Sequence, residues 1–474
     1  MKQKFLPLVL SLMLGGCFVV GPDYAKPKVD VPQKWRMATD QVKDTADVQW
    51  WKQMNDPVLN RLIDRALEGN YDLQIAIANI DKYSGLYGVT RSNLFPQLFG
   101  SAGYDRNQAS GLEKGFDQKI PDTDHARLGA NISWEIDIWG QLRRAKEASY
   151  ADLMAQNYAS KAIILTLVSL VAENYINLRA LDWNLQVTRQ TVDSLREEYR
   201  IAKSRFDMGY SSEIEVIQSL SELERRNALI PQFEQRIAET EHALSVLIGV
   251  NPGAIERGHA LDEFKLPAIP AGLPSELLLR RPDIQQQEQN LISANARIGV
   301  ARGEYFPKLQ LTGDVGQASL ELAQLMTPGA NFWTIGVKLL GPIFTAGKIA
   351  GQVQAAEASQ RAALANYQQT IITAFREFED ALVSNSKTLE KQQAEARRVE
   401  AASEYLRISR VRYDEGYTPY LEVLDALRQY YEAQIELIQA RNQNFLSYVK
   451  LYKAMGGGWL YHEKNIRLIQ DITH

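Results

Sequence analysis

The stretch RFDMGYSSEIEVI, from Arg205 to Ile217, has a near-copy in RYDEGYTPYLEVL, from Arg412 to Leu424. Arg, Asp, Gly, Tyr, Glu and Val recur in the same places at an offset of 207 positions. In both copies a glycine follows a helical pattern, and glycine takes the left-handed conformation that ends helices without strain. Each copy therefore predicts a helix, a tight turn and a second helix.

A second pair of segments shows that a whole unit is repeated. The segment from Asp72 to Leu98 aligns with the segment from Asp283 to Leu309 at an offset of 211, and both contain Phe-Pro near the end. Two nearly equal offsets at well-separated places indicate internal duplication. We expect each half to contain a helix, a β-hairpin, a very long helix, the repeated turn and a further helix.

Alternating residues predict four amphipathic strands. The clearest run extends from Leu128 to Ile138, and weaker runs cover 97–104, 309–315 and 333–339. A period of two gives a strand one apolar and one polar face. The apolar face carries Trp134 and Trp333. The polar face carries Glu135, Asp137, Asp314 and Lys338.

Four strands cannot cross a membrane alone, because an open edge leaves unpaired backbone groups in hydrocarbon. About eight strands are the minimum for a closed barrel. Either the strands lie outside a membrane, as in a soluble sandwich fused to a coiled coil, or several chains pool them. In the second case the polar face would line a water-filled lumen.

Two stretches predict helices far longer than usual. Residues 141–208 and 352–415 contain neither glycine nor proline. Sixty-odd residues at a rise of about 1.5 Å give roughly 100 Å of helix. Such lengths are typical of coiled coils rather than of compact domains.

The N-terminus predicts export and lipid attachment. Lys2 and Lys4 precede an apolar run from Phe5 to Leu14, which is typical of a secretory signal. The only cysteine, Cys17, directly follows Leu-Gly-Gly, where lipoprotein processing makes a cysteine the acylated first residue. The alternative is an ordinary signal with an incidental cysteine. We predict a signal peptide over 1–16 and a covalent lipid on Cys17.

The composition argues against several classes of function. With 53 basic and 57 acidic residues, the chain has no overall field that would attract nucleic acid. Five histidines, one cysteine and eight methionines argue against a soft-metal site. No nucleotide-binding loop, catalytic triad or acid–base pair stands out. We therefore expect neither an enzyme nor a protein with a metal or a bound cofactor.

Five sequence blocks carry a resemblance to a known family. They are GPDYAKP (21–27), WWKQMNDPVLNRLIDRAL (50–67), LPSELLLRRPDIQ (273–285), ANARIGVARGEYFPKLQLTGDVG (294–316) and GPIFTAGK (341–348). In this order they resemble the signature blocks of the TolC-like outer-membrane efflux proteins, specifically the lipoprotein branch of the OprM type.

The resemblance implies a mainly α protein with β structure that forms a homotrimer. Four strands from each chain would build a 12-stranded β-barrel in the outer membrane of a Gram-negative bacterium, continued by a long α-helical barrel in the periplasm. The implied order begins with a lipidated extended segment (17–55). Repeat 1 then comprises a helix (56–94), a β-hairpin (95–138) and long helices with a tip (139–250), and a connecting segment follows (251–280). Repeat 2 comprises a helix (281–304), a β-hairpin (305–345) and long helices with a tip (346–455), and a C-terminal equatorial tail (456–474) ends the chain.

The repeated turns would be the periplasmic tips, which meet the adaptor protein of a tripartite pump with an inner-membrane component of the RND type. The implied adaptor contacts are Arg205, Asp207, Gly209, Tyr210, Asp414, Gly416 and Tyr417. From the residues alone, Ser212 with Glu215 predicts a capping box at the first turn. Thr418 as N-cap with Pro419 at N1 is expected at the second.

The second copy also carries a candidate gate. Glu422 and Asp425 lie at i and i+3 on one helix face, and the family's constriction implies that this face meets the lumen, with Tyr413 and Leu421 nearby. A ring of like charges needs basic partners, for which Arg410, Arg412 and Arg428 are the candidates. A solvated helix face is the alternative. The first copy has Gln218 where the second has Asp425, so we place the gate in the second copy.

These features together predict a passive outer-membrane exit channel of an efflux pump. A type I secretion channel would look alike along most of the chain. A lipid-anchored coiled coil without a pore is the alternative from another class.

Overall fold

The computed structural model describes residues 19–32, 35, 49–108, 110, 121–266 and 274–457. The predicted signal peptide, Cys17 and nearly all of the C-terminal tail lie outside the described residues. The first half contains α1 (Pro57–Gly69), α2 (Tyr71–Ser92), β1 (Gln97–Asn107), β2 (Thr123–Ile136), α3 (Gln141–Asp207), α4 (Glu213–Asn227) and α5 (Leu229–Leu247). The second contains α6 (Pro274–Arg280), α7 (Pro282–Gly303), β3 (Lys308–Ser319), β4 (Asn331–Leu340), α8 (Lys348–Asp414) and α9 (Tyr420–Ala454).

The predicted long helices and four strands are confirmed. Helices α3 and α8 have 67 residues each. Among the described residues, α3 alone is long and apolar enough to cross a membrane by composition. More than half of its apolar stretch is buried in the protein, as in a core helix.

Two helix predictions were wrong. The helix predicted over 56–94 breaks at Asn70, which takes an extended conformation (φ −68°, ψ 128°). Its side chain accepts the N–H of Leu73 and donates to the carbonyl of Leu247, so it serves the start of α2 and the end of α5. The helix after the first turn also breaks, between α4 and α5. Pro231 has no N–H for the carbonyl of Asn227, which interrupts the helical ladder.

The chain divides into two compact units. The first consists of Met1–Lys28, Asn79–Asn157 and Gln286–Gln368 and contains the sheet. The sheet is antiparallel in the order β1-β2-β3-β4, so among the described residues β1 and β4 are each paired on one side only. Its register aligns Trp134, Leu311 and Val337 in one row and Ile132, Gly313 and Ile335 in the next, so these rows of one face are apolar.

Asp137 was wrongly placed on the polar face of the sheet. Strand β2 ends at Ile136, and the Asp137 carboxylate accepts the N–H groups of Leu142 (3.0 Å) and Arg143 (2.9 Å) at the start of α3. It satisfies donors that the first turn of a helix leaves free. Its position one residue beyond the strand therefore serves the helix rather than a lumen.

The GPDYAKP block fastens the N-terminal segment to the first unit. The N–H of Val20 bonds the carbonyl of Trp139 at 2.9 Å, and Asn295 donates to the carbonyl of Pro22 at 2.9 Å. Further along, Lys26 and Tyr24 both bond the carboxylate of Glu288, at 2.8 and 3.2 Å. The prolines keep this segment extended, as predicted.

The second unit consists of Val29–Ala78, Tyr158–Gln285 and Gln369–His474 and has two main apolar clusters. The larger one includes Trp50, which stacks on Tyr452 with ring centroids 5.3 Å apart. The smaller one is formed by α3, α4, α8 and α9 beside the repeated turns and includes Leu195, Leu223 and Leu406. This smaller cluster positions the site described next.

Candidate functional site at the hairpin tips

The two repeated turns close in the same way. We call α3, its turn and α4 hairpin 1, and α8, its turn and α9 hairpin 2. Gly209 and Gly416 each have φ +80°. The N–H of Tyr210 bonds the carbonyl of Arg205 and that of Tyr417 bonds the carbonyl of Arg412, both at 2.8 Å. This is the Schellman arrangement, and it explains why the glycine and its spacing recur.

The helix starts after the glycines differ from the expectation. Ser212 is the N-cap of α4, but its side chain makes no capping bond, so the predicted capping box is absent. The Glu215 carboxylate instead accepts the hydroxyl of Tyr413 in hairpin 2, at 2.9 Å. At the second turn the N-cap is Pro419 rather than Thr418, one residue later than predicted.

Hydrogen bonds and ion pairs join hairpin 1 to hairpin 2. Besides Tyr413 with Glu215, the Glu198 carboxylate accepts Arg410 and, at 3.4 Å, the hydroxyl of Tyr420. The rings of Tyr413 and Tyr420 meet edge-on with centroids 5.5 Å apart. We call Glu198, Glu215, Arg410, Tyr413 and Tyr420 the tip ties.

The tyrosines of the tip ties are stable hydrogen-bond donors. Burial and the Glu215 carboxylate raise the pKa of Tyr413, while nearby Arg205 opposes the rise. Burial and Glu198 raise the pKa of Tyr420 strongly. An anionic phenolate beside a carboxylate is disfavoured, so both hydroxyls keep their protons and keep donating.

A buried carboxylate makes a deeper connection. Glu222 of α4 is fully buried, and its two oxygens accept Arg226 at 2.8 Å and Arg428 of hairpin 2 at 2.7 Å. Arg225 adds a third guanidinium at 3.6 Å. Arg226 is itself buried, and its guanidinium lies 4.0 Å from the ring centroid of Tyr431. A buried charge needs such partners, since an unpaired one is strongly destabilising.

Three of the four predicted constriction residues, Leu421, Glu422 and Asp425, lie on the solvent-facing side of α9, whereas Tyr413 lies near the end of α8 and bonds Glu215. Leu421 and Asp425 are exposed and Glu422 is half-buried, while the intervening Val423 and Leu424 enter the core. Asp425 accepts the side-chain amide of Gln429 at 2.7 Å and the hydroxyl of Tyr405 at 3.3 Å.

Two of the three arginines proposed as partners of that acidic pair contact other groups. Arg410 bonds Glu198 and Arg428 bonds Glu222, both acids of hairpin 1. Only Arg412 approaches the pair, at 3.9 Å from Glu422. Arg410 and Arg428 face the packed seam between the hairpins, where the acids of hairpin 1 are nearer than Glu422 and Asp425.

The predicted adaptor-contacting residues surround the two turns. Tyr210 and Tyr417 are largely exposed, at 81% and 75%. Arg205 lies 3.8 Å from Asp414, so it also connects the hairpins. Gly209 and Gly416 lie within the turns, and Asp207 is the last residue of α3.

Sequence reasoning missed Glu198, Glu222, Tyr405, Tyr420 and Arg226. One signal was available in the comparison of the two copies. At the offset of 207, Phe206 corresponds to Tyr413 and Ser221 to Arg428. The Tyr413 hydroxyl and the Arg428 guanidinium, which bond acids of hairpin 1, therefore have no counterpart in the first copy. These bonds between the hairpins are not symmetric, although the sequence is duplicated.

Residues 62–250 and 273–457 match the family model described as outer membrane efflux protein. The chain is 34% identical over 468 residues to the solvent efflux pump outer membrane protein SrpC of Pseudomonas putida, covering 97% of this chain and 99% of SrpC. It is 29% identical over 464 residues to the probable outer membrane lipoprotein SilC of Salmonella typhimurium, covering 97% of this chain and 99% of SilC.

Solved outer-membrane channels share its fold. The channel OprN superposes with a TM-score of 0.87 at 27% identity, covering 93% of this chain and 99% of OprN. The CmeC channel of Campylobacter jejuni superposes with a TM-score of 0.86 at 28% identity, covering 93% of this chain and 95% of CmeC.

Proposed function

The chain belongs to the outer membrane efflux protein family, and on that premise we propose that three copies form the outer-membrane channel of a tripartite efflux pump. The observation that carries the proposal is the four-stranded sheet with one apolar face and two edges that lack a neighbour among the described residues. Such a sheet must close with other copies before it can enter a membrane. Three copies give the twelve strands that the resemblance implies.

The height of the apolar face fits a membrane. Along β2 it extends from Ala126 to Ile136, a span of ten residue steps. At about 3.4 Å per step and a tilt of about 40° this gives roughly 26 Å, against about 25 Å for the apolar band of outer-membrane barrels. The opposite face, with Glu135, Asp314 and Lys338, would then line the lumen.

We assign the gate to the seam between the two hairpins. Opening requires hairpin 2 to separate from hairpin 1, which breaks the tip ties and the bond of Arg428 to Glu222. Glu222 would keep Arg226 and Arg225, so the separation leaves no unpaired buried carboxylate. The exposed turns around Tyr210 and Tyr417 remain our candidates for adaptor contact.

The lipid and the transported molecules are further parts of the proposal. We propose that Cys17 carries a lipid, which agrees with the identification of SilC as a probable outer membrane lipoprotein. The description of SrpC as part of a solvent efflux pump points to small organic molecules as substrates. A pump and an adaptor would supply energy and substrate, since the channel itself is passive.

Two measurements on the purified full-length protein test the proposal. We expect a heat-resistant trimer on unboiled gels and discrete conductance steps in planar bilayers. A monomer that is almost entirely helical by circular dichroism and gives no conductance would support the pore-free coiled coil instead. Export of a protein rather than of small molecules by a strain that carries the gene would favour the type I secretion channel.

A further inference from the structure

Two phenylalanine side chains interrupt the polar face of the sheet, Phe99 towards one end and Phe332 towards the other. Phe332 is the second residue of β4, and its register partners across the sheet are Gly316 of β3 and Gly129 of β2. On β4 the same face continues with Thr334, Gly336 and Lys338, as the alternation requires. A large apolar ring on a water-facing surface needs a reason, because exposing it to water is unfavourable.

The ring lies over a part of the sheet that carries glycines. A Cβ on Gly129 would be in van der Waals contact with the Cζ atom of Phe332, at 3.7 Å, and one on Gly316 would clash with the backbone of β2. The ring therefore lies against bare backbone, half-buried, instead of standing away from the sheet.

Charged groups flank the ring. The guanidinium of Arg127 lies 4.7 Å from the ring centroid of Phe332, within the range of a cation–π contact. Arg127 is also 3.8 Å from the carboxylate of Asp314, too far for a hydrogen bond. Asp314 therefore attracts the guanidinium without taking up its N–H groups.

We propose that Arg127 and Phe332 form a weak binding site in the channel for planar aromatic anions that are leaving the cell. A flat ring would pack beside Phe332 and Arg127, and its carboxylate or sulfonate would accept N–H groups from Arg127. The site rests on the proposed function, since three copies would face one lumen. Weak affinity suits a channel, because a solute must enter readily and also leave.

The chain offers close controls. Arg106 is at the same end of the sheet, but the alternation places it on the opposite face, where it pairs with Asp122 at 3.3 Å. Phe99 is on the polar face, in the row of Asn131 and away from Arg127. Loss of either residue removes the same chemistry from the protein without touching the site.

The test measures binding of 2-naphthalenesulfonate to the purified full-length protein by saturation-transfer NMR titration. We expect saturable binding that weakens two- to fivefold in Arg127→Gln and in Phe332→Ala, which is about 0.4–1 kcal/mol at 1.4 kcal/mol per factor of ten. Phe332→Tyr should bind as the wild type does, and Arg106→Gln and Phe99→Ala should have no effect.

Absence of saturable binding to the wild type, or equal affinity in Arg127→Gln, Phe332→Ala and the wild type, would overturn the inference. Conductance of the same preparations separates this result from a failure of the proposed function. A conducting protein without the site disproves the inference alone. A protein that forms no pore disproves the channel, whatever it binds.

Discussion

Replacing Tyr413 with phenylalanine removes one hydroxyl from the seam between the hairpins. The lost bond joins that hydroxyl to Glu215 at 2.9 Å, and the ring keeps its edge-on contact with Tyr420. Hydrogen bonds to charged groups contribute about 1.5–3 kcal/mol. We take ~1 kcal/mol here, because the pair is only half-buried.

Three copies of the tie would contribute ~3 kcal/mol to the closed state, and every 1.4 kcal/mol is a factor of ten. If the ties act together, the ratio of open to closed channels should rise on the order of 100-fold. Single-channel recording in planar bilayers measures that ratio directly, as open probability at fixed voltage.

Controls separate a tie from a general loosening of the tip. Tyr210→Phe removes an equivalent hydroxyl from the exposed turn of hairpin 1 and should leave open probability unchanged. Combining Tyr413→Phe with Glu215→Ala should open the channel no further than either change alone, because both break one bond. Unchanged open probability in Tyr413→Phe, or fully additive effects in the pair, would refute the tie.

Three further predictions concern the same seam. Gly416→Ala should destabilise the second turn by about 1–2 kcal/mol, since alanine is strained at positive φ, and Gly416→Asn should cost less; thermal unfolding followed by circular dichroism measures both. Arg428→Ala should raise open probability more than Arg412→Ala, because Arg428 bonds the buried Glu222 at 2.7 Å whereas Arg412 stands 3.9 Å from its acid. The pKa of Tyr413 is raised, so its bond should be fully present below the ordinary tyrosine pKa of about 10 and be lost as pH rises through the higher folded value. Open probability should therefore stay flat from neutral pH to about 10 and increase above it, and the increase should be smaller in Tyr413→Phe, where only the hydroxyl of Tyr420 remains to titrate at the seam.

The periodic parts of the fold could be predicted because periodicity is a local property. Freedom from glycine and proline marked α3 and α8, and alternation marked the strands to within a few residues. The break at Asn70 could not be found in this way. It depends on an amide that bonds the end of α5, 177 positions away in sequence. The turn glycines were predictable because φ +80° is a backbone requirement of the turn itself.

The partners of the charged residues were less predictable. Spacing along α9 placed Glu422 and Asp425 on one face correctly, but it could not show that Arg410 and Arg428 face acids of hairpin 1. Ion pairing depends on which helix lies nearest in space, and one sequence does not give that. The Ser212 capping box failed for the same reason, since the hydroxyl of Tyr413 occupies Glu215 from another helix.

The differences between the two copies indicate which hairpin moves. Hairpin 1 holds the acids Glu198, Glu215 and Glu222, and its buried Glu222 keeps Arg226 on its own helix. Among the groups of hairpin 2 that must detach are Tyr413 and Arg428, neither of which has an equivalent of the same chemistry in the first copy. After detachment those two groups would meet water, where a phenol and a guanidinium are readily solvated. Glu222 keeps Arg226 and Arg225 because all three belong to hairpin 1. We therefore expect labels placed on α9 near Leu421 to move on opening and labels on α4 near Ile217 to stay fixed relative to α3.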